Sequence, residues 1–289
     1  MKEIIGKFLL RLEPNGKLQK LRPVAGGDIN EAYYVRSKEN EYFVKLNRDV
    51  DASFFDFEAE GLERIAKTNT ISVPNVLMNT VDDQSRIHML WLEWVDGTKR
   101  SSTEALLGEQ LAAMHLCKVP GYGYTRDGYI GKLRQDNQLV DNWLTYYRDF
   151  RLRGQLEIGR ARQTITGRRE TLLLLLLEQL EKWVPDHPQP SLLHGDLWGG
   201  NWLIGEEGRP YLIDPSVLFG DHEFEIAFTE LFGGFSTTFY EAYTSVYPLA
   251  DEYETRKPLY QLYYLLVHVN MFGESYGHSV DHILNRYVG

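Results

Sequence analysis

The chain has 289 residues, and its 31 basic against 41 acidic side chains give a formal net charge of −10. That sign argues against nucleic acid or an anionic membrane as partner. The length suits one large domain or two lobes. The single cysteine, Cys117, excludes an intrachain disulfide and fits a reducing compartment.

The N-terminal stretch has a short apolar run and no small-residue cleavage site, so no secretory signal is expected. Residues 18–23, 32–36 and 42–46 read as short strands, with Gly26-Gly27-Asp28-Ile29-Asn30 as the turn between the first two. Residues 76–80 and 86–93 supply two more strands. Between them, Ser53 and Asp56 have the spacing of a capping box at a helix start. That helix sets Phe54, Phe57, Gly61, Leu62 and Ile65 on one stripe and Glu60, Glu63, Arg64 and Lys67 on the other.

Asp96-Gly97-Thr98 breaks the pattern and reads as a connector. Beyond it the chain is mainly helical, over 103–117, 138–157, 168–184, 223–232, 236–247 and 258–286. Cys117 shares an apolar spacing with Leu111 and Met114, which predicts a buried, inert thiol. The basic stretch 148–169 is broken by glutamates and leucines and reads as a solvated helical face. The leucine run 172–177 is far shorter than the roughly 20 residues of a bilayer span and has charged flanks, so a buried helix is expected. The pattern predicts an α+β, bilobal protein. Residues 1–95 form a small antiparallel-sheet lobe with one key helix, and 96–289 a larger, mostly helical lobe. The protein is expected to be soluble and cytoplasmic.

Residues 194–201 read His-Gly-Asp-Leu-Trp-Gly-Gly-Asn, and Asp214 follows in Ile213-Asp214-Pro215. An aspartate, an asparagine five residues on and a second aspartate at a strand end are the parts a protein-kinase-like phosphotransferase requires. Asp196 is the candidate base toward a substrate hydroxyl, an effect worth about 10²–10⁴ in rate. Asn201 and Asp214 are candidate magnesium ligands against ATP phosphates. A four-residue turn, Glu206 to Arg209, predicts Gly205 opposite Pro210 and hence Asn201 opposite Asp214, with Cβ atoms roughly 4.5–5.5 Å apart. Two oxygen donors at that spacing suit one hard cation. His194 is expected to orient the loop through backbone hydrogen bonds.

Phe43-Val44-Lys45 ends a strand, as the phosphate-binding lysine of such a fold does. Its carboxylate partner is sought on the following helix. Glu58 lies four residues after Phe54 and four before Leu62, along the buried stripe, while Glu60 faces solvent. A buried carboxylate needs a counter-ion, so a Lys45–Glu58 pair is predicted. Gly26, Gly27 and Asp28 lie in a turn whose backbone amides suit phosphate oxygens. Glu93, Trp94 and Val95, just before the connector, are where backbone groups would meet the adenine edge.

These residues resemble the fructosamine kinases, also called ketosamine 3-kinases. The similarity covers 23–33 with 43–45, the catalytic loop 193–201 and the segment 213–216, and extends through 142–153, 223–225, 231–235 and 260–273. The wider group, with aminoglycoside phosphotransferases and choline kinases, shares His-Gly-Asp and the downstream Asn and Asp. Trp198 is the more specific feature, and the resemblance implies that its ring stacks on the ketosamine. It further implies ATP-dependent phosphorylation of the sugar 3-hydroxyl of a ketosamine carried on protein or a small amine, with Mg2+. The unstable product then releases the amine. Asp221, Glu223 and Glu225 are candidates for attracting the substrate's protonated amine, although helix capping explains them equally well. The alternatives are a small-molecule amine-alcohol kinase of the same fold, aminoglycoside or choline kinase-like, and a pseudokinase binding module.

Overall fold

The computed structural model describes residues 1–25, 30–48, 50, 51 and 53–289. Five antiparallel strands, β1 (Lys20–Pro23), β2 (Glu31–Arg36), β3 (Glu41–Arg48), β4 (Val76–Asp82) and β5 (Ile87–Glu93), form a sheet in the order β1-β2-β3-β5-β4. Side chains alternate across a strand, and β3 uses both faces. Tyr42, Val44 and Leu46 join Ile5, Phe8 and Leu9 of helix α1 (Lys2–Leu12) in one cluster. Leu90 and Leu92 of β5 turn the other way, toward Phe55, Ala59 and Leu62 of helix α2 (Ser53–Ala66), with Phe43 packed beside them. Lys45 shares the parity of Phe43 and therefore points to the side of α2.

Helix α1 was not expected, because its apolar residues look like a short run. Positions 5, 8 and 9 nevertheless form a helical stripe that covers the sheet's second face. The start of α2 also differs from the capping-box expectation. The Ser53 backbone N–H and hydroxyl both donate to Asp51 Oδ1, at 2.8 and 2.6 Å, and Asp56 instead accepts from Asn79 Nδ2 at 2.5 Å.

Past the connector come α3 (Thr103–His115), the hairpin β6 (Gly128–Ile130) and β7 (Leu133–Gln135), and α4 (Trp143–Thr145). Helix α4 continues through a π-helical stretch, Tyr146–Leu152, into α5 (Arg153–Arg162). Helix α6 (Gly167–Gln179) follows, then β8 (Pro190–Leu193), β9 (Trp202–Ile204), β10 (Pro210–Leu212) and β11 (Leu218–Asp221). Strand β8 pairs with β11, and β9 with β10. Helices α7 (His222–Thr229), α8 (Thr237–Val246), α9 (Tyr253–Phe272) and α10 (Gly277–Val288) close the chain. The single helix expected over 258–286 is two, because the chain turns at Gly273 with φ +86°.

The core of this region is aromatic. Trp143 stacks on Tyr147 at 5.6 Å, and its Nε1 donates to the Tyr260 hydroxyl at 2.9 Å. The basic stretch is not simply a solvated face. Arg151 is buried against the Tyr146 ring at 4.6 Å, and Arg169 is clasped by Glu274 and Asp281. Cys117 is only partly buried, with its Sγ donating to the Ala113 carbonyl. Among the described residues no helix is long and apolar enough to cross a membrane.

Helices α3 and α8 meet at Gly108, where a Cβ would lie 2.3 Å from the Phe239 carbonyl oxygen and 2.9 Å from the Tyr243 nitrogen. Alanine gains about 1 kcal/mol of helix propensity over glycine, but the overpacking costs about 1–3 kcal/mol. Gly108→Ala is therefore expected to lower the melting temperature. A raised melting temperature in differential scanning calorimetry would show that the two helices part freely.

Candidate active site

The ammonium group of Lys45 is buried, with 4% of the residue exposed, and two carboxylates flank it. Glu58 Oε1 of α2 lies 2.7 Å away, and Asp214 Oδ1 makes a second ion pair. Periodicity placed Glu58 on the buried side of α2, and that is where the side chain lies. Burial disfavours the charge on Lys45, but the two carboxylates outweigh it and raise its hold on its proton. Burial pushes the Glu58 carboxyl up, and the Lys45 ammonium opposes that push. Glu60 is not simply turned to solvent. It accepts from the Tyr124 hydroxyl at 2.7 Å and from Arg126 at 3.3 Å.

The hairpin carrying Asn201 and Asp214 differs from the expected register by one residue. Pro210 pairs with Ile204 and Leu212 with Trp202, so Ile213, not Asp214, stands opposite Asn201. The Ile213 N–H donates to the Asn201 carbonyl at 3.0 Å. The cause is the turn. Gly205 N–H donates to the Arg209 carbonyl at 2.8 Å across a three-residue loop, with Glu207 at φ +59° and Gly208 at φ +78°. Such loops are common where a glycine takes the left-handed position. Asp214 then leaves the strand at φ +57°, a region in which Asp is enriched among non-glycine residues, and swings its carboxylate to Lys45.

The loop bearing Asp196 is fastened from below. Glu225 on α7 is fully buried and accepts from the backbone N–H of His194 at 3.0 Å and of Gly195 at 2.6 Å. Tyr264 donates to the Gly195 carbonyl at 3.1 Å. His194 Nε2 donates to the Ile213 carbonyl at 2.7 Å, which leaves Nδ1 to accept from the Asp196 N–H at 3.3 Å. His194 thus orients the loop through backbone hydrogen bonds, as expected, and burial keeps its proton affinity low. Asn201 Nδ2 donates to Asp196 at both the backbone carbonyl, 2.7 Å, and Oδ2, 3.2 Å. The Asp196 carboxyl is pushed well above the usual carboxylate range, first by burial and then by the charge of Asp214. The Asn201 hydrogen bond opposes this.

Lys45, Glu58 and Asp214 thus form one contact group and Asp196 and Asn201 another, and the two are joined through Ile213 and His194. Trp198, on the same loop, is 42% exposed and so is not a core aromatic. Trp94 packs edge-on to Tyr34 at 4.7 Å, and Glu93 accepts from Asn75 Nδ2 at 2.8 Å. Both side chains are thus turned onto the small lobe, and Val95 follows them at partial exposure. Gly26, Gly27 and Asp28 lie outside the described residues.

A fructosamine kinase family model matches residues 1–289. The chain belongs to the fructosamine kinase family. A "Probable ketoamine kinase" of Enterococcus faecium is 36% identical over 284 residues, which cover 98% of this chain and 99% of that protein. The crystal structure named "Putative fructosamine-3-kinase" from Haemophilus somnus has a TM-score of 0.88 at 29% identity, covering 99% of this chain and 97% of its own. The aminoglycoside phosphotransferase APH(4)-Ia shares the fold alone, with a TM-score of 0.65 at 16% identity over the full length of both chains. The fold is thus the bilobal, protein-kinase-like α+β fold of that wider group.

Membership of a kinase family implies ATP, and the sequence offers Asn201 and Asp214 as candidate magnesium ligands beside it. Among the described residues no cluster of three or more His, Cys, Asp or Glu side chains could hold a metal alone. The donor set still fits. Because Asn201 spends its amide nitrogen on Asp196, its Oδ1 is the atom left for a cation. Asp214 keeps Oδ2 beyond its contact with Lys45, and its side chain is 39% exposed. Two hard oxygen donors are what magnesium takes from protein when phosphates and water supply the rest.

Asp221, Glu223 and Glu225 do not line a cleft. Asp221 caps α7 and accepts from Tyr260 at 2.6 Å. Glu223 is paired with Arg256 at 2.8 Å, and Glu225 with His115 at 2.8 Å. Glu225, a candidate for attracting the substrate's amine or for capping a helix, instead fixes the loop. An acid followed by Ile226, Ala227 and Phe228 on an apolar helix is the available signal, since buried backbone donors need acceptors.

From Glu225 the network runs through His115 to the Tyr243 hydroxyl, 2.7 Å from His115 Nδ1 and 2.9 Å from His222 Nδ1. His222 stacks on Tyr247 at 3.8 Å, and burial, with nearby His115 and Arg256, depresses its pKa to about 3. The unfolded chain then binds more protons than the folded one below about pH 6.5. Stability is therefore lost as the pH falls from about 6.5 toward 3, by up to about 1.4 kcal/mol per pH unit. Urea midpoints at pH 7, 6 and 5 are expected to fall more steeply for the wild type than for His222→Gln. Parallel slopes would show that His222 titrates normally.

Proposed function

We propose that this chain is an ATP-dependent ketosamine kinase that phosphorylates the sugar 3-hydroxyl of fructosamine- or ribulosamine-type adducts. The observation that carries this reading is the convergence of Lys45, Glu58, Asp196, Asn201 and Asp214, in a chain of this family. The connector after β5 divides a nucleotide-binding lobe, 1–95, from a catalytic and substrate-binding lobe, 96–289. ATP lies between them, with its adenine edge against the backbone of Glu93, Trp94 and Val95. The backbone amides of Gly26, Gly27 and Asp28, expected from the sequence to suit phosphate oxygens, are assigned to the ATP phosphates.

Lys45 has three ammonium protons. Glu58 and Asp214 take two, and the third is directed to a phosphate oxygen. Asn201 Oδ1 and Asp214 would hold Mg2+, which supplies charge neutralisation at the phosphates when bound. Asp196 accepts the proton of the 3-hydroxyl as that oxygen bonds to the γ-phosphorus and ADP leaves. Its raised proton affinity suits a base, and its double contact from Asn201 fixes the carboxylate. The exposed Trp198 ring offers an apolar face to the ketosamine. The phosphorylated product is unstable and releases the free amine, so the reaction serves deglycation of proteins or small amines. The single cysteine is in keeping with action in the cytoplasm.

ADP release across a panel of fructosamine- and ribulosamine-lysine compounds, an aminoglycoside and choline tests the substrate class. Turnover confined to the ketosamines is expected, and turnover only of the antibiotic or choline would overturn the assignment. In Asp196→Ala, turnover should fall by about 10²–10⁴ with nucleotide binding retained, as read by stopped assays beside calorimetry. Lys45→Ala should weaken productive ATP binding and also uncover Glu58, at a cost of about 3–5 kcal/mol in stability. Unchanged ATP affinity and rate in that variant would remove Lys45 from the site.

A further inference from the structure

Helix α2 carries Glu58, so its placement decides whether the pair with Lys45 forms. One face of α2 rests on the small sheet through Phe55, Ala59 and Leu62. The other face is held by the large lobe. Phe57 and Ile65 belong to the large lobe's own core. Phe57 meets the Tyr124 ring edge-on, with centroids 5.8 Å apart. A Cβ at Gly128 would fall 2.3 Å from the Phe57 ring, so only glycine admits it.

The polar contacts follow the same line. The Tyr124 hydroxyl donates to Glu60 at 2.7 Å and accepts from Arg64 Nε at 2.9 Å. Phe54 packs on Tyr129 with centroids 5.0 Å apart, and the Tyr129 hydroxyl lies 3.0 Å from Ser53 Oγ. The Tyr129 backbone carbonyl accepts from Ser216 Oγ at 2.6 Å, two residues past Asp214. One segment of the large lobe thus grips both chain segments whose carboxylates meet at Lys45.

We infer that residues 124–135, through Tyr124 and Tyr129, form a cross-lobe strap that positions Glu58 and so assembles the phosphate-binding lysine without a partner or a modification. Tyr124 and Tyr129 are positioning residues that act through Glu58. The strap rests on the phosphotransferase reading above, since Glu58 matters only if Lys45 binds phosphate. An outward swing of α2 would uncover Phe57 and Ile65 and leave Glu60 without its hydroxyl partner. The helix is therefore fixed by the same packing that folds the large lobe.

A double-mutant cycle on the full chain tests this, reading both ketosamine-dependent ADP release and MgATP affinity by calorimetry. Tyr129→Ala is expected to lower kcat/KM for ATP by about tenfold, within the range of couplings between residues in one network. In a Glu58→Gln background the same substitution is expected to cost less than about twofold, because Glu58 is the route of its effect. A merely structural role gives equal losses in both backgrounds and overturns the proposal, as does an undiminished Tyr129→Ala. If Tyr129→Ala fails to fold, Tyr124→Phe keeps the ring and removes only the contacts to Glu60 and Arg64, and the same comparison applies. If the wild type turns over no ketosamine, the substrate assignment fails. The affinity arm of the cycle then still decides the strap.

Discussion

Everything at the site turns on one buried ammonium group. Lys45 comes from the sheet, Glu58 from α2 and Asp214 from the segment after β10, three parts of the chain with no local reason to meet. Taking an ammonium out of water costs several kcal/mol unless paired, and removing one partner of such a pair costs about 3–5 kcal/mol. The lysine is thus a constraint on both lobes at once. A slip of β3 by one residue would send it into the α1 face, among Ile5, Phe8 and Leu9, because side-chain period in a strand is two. The register of β3 with β5, Lys45 opposite Leu90, is therefore part of the site.

The same logic explains why Asp214 leaves its strand. Had the hairpin continued in register, residue 214 would have followed Ile213 in an extended conformation, its side chain fixed by strand alternation. A left-handed turn costs a non-glycine residue roughly 1 kcal/mol, and the ion pair to Lys45 offsets it. Strain of this kind gathers at functional sites. The three-residue turn at Glu206–Gly208 puts the Asn201–Asp214 register one residue out, and the left-handed backbone of Asp214 still keeps the two residues in one neighbourhood. Asn201 is held by Asp196 and the Ile213 N–H, and Asp214 reaches back by turning.

What the sequence made legible follows from how local each signal is. The five strands, helix α2 and the choice of Glu58 over its neighbours came from periods of two and 3.6, which the chain carries wherever it folds. Three features were not legible for the complementary reason. The β8–β11 pair brings together residues from 190 and 221, the β6–β7 strands are three residues each, and α1 offers only three buried apolar positions. Glu60 shows the limit most directly. Its helical face is polar, yet a tyrosine from residue 124 and an arginine from 126 make that face an interface. Helical period separates the faces of α2, but it says nothing of how many elements will cover them.

Glu225 carries the point from placement to chemistry. A carboxylate accepting two backbone N–H groups fixes the loop far more rigidly than a side-chain contact would, because it holds the main chain on either side of the His194–Gly195 peptide. Burial pushes the Glu225 carboxyl up. The hydrogen bonds from His115 and the backbone outweigh burial and hold it ionised. That negative charge, with Asp214, adds to burial in raising the proton affinity of Asp196. One buried acid therefore performs two tasks, fixing where the Asp196 carboxylate sits and strengthening it as a proton acceptor. Neither task survives its replacement by an apolar residue of equal size.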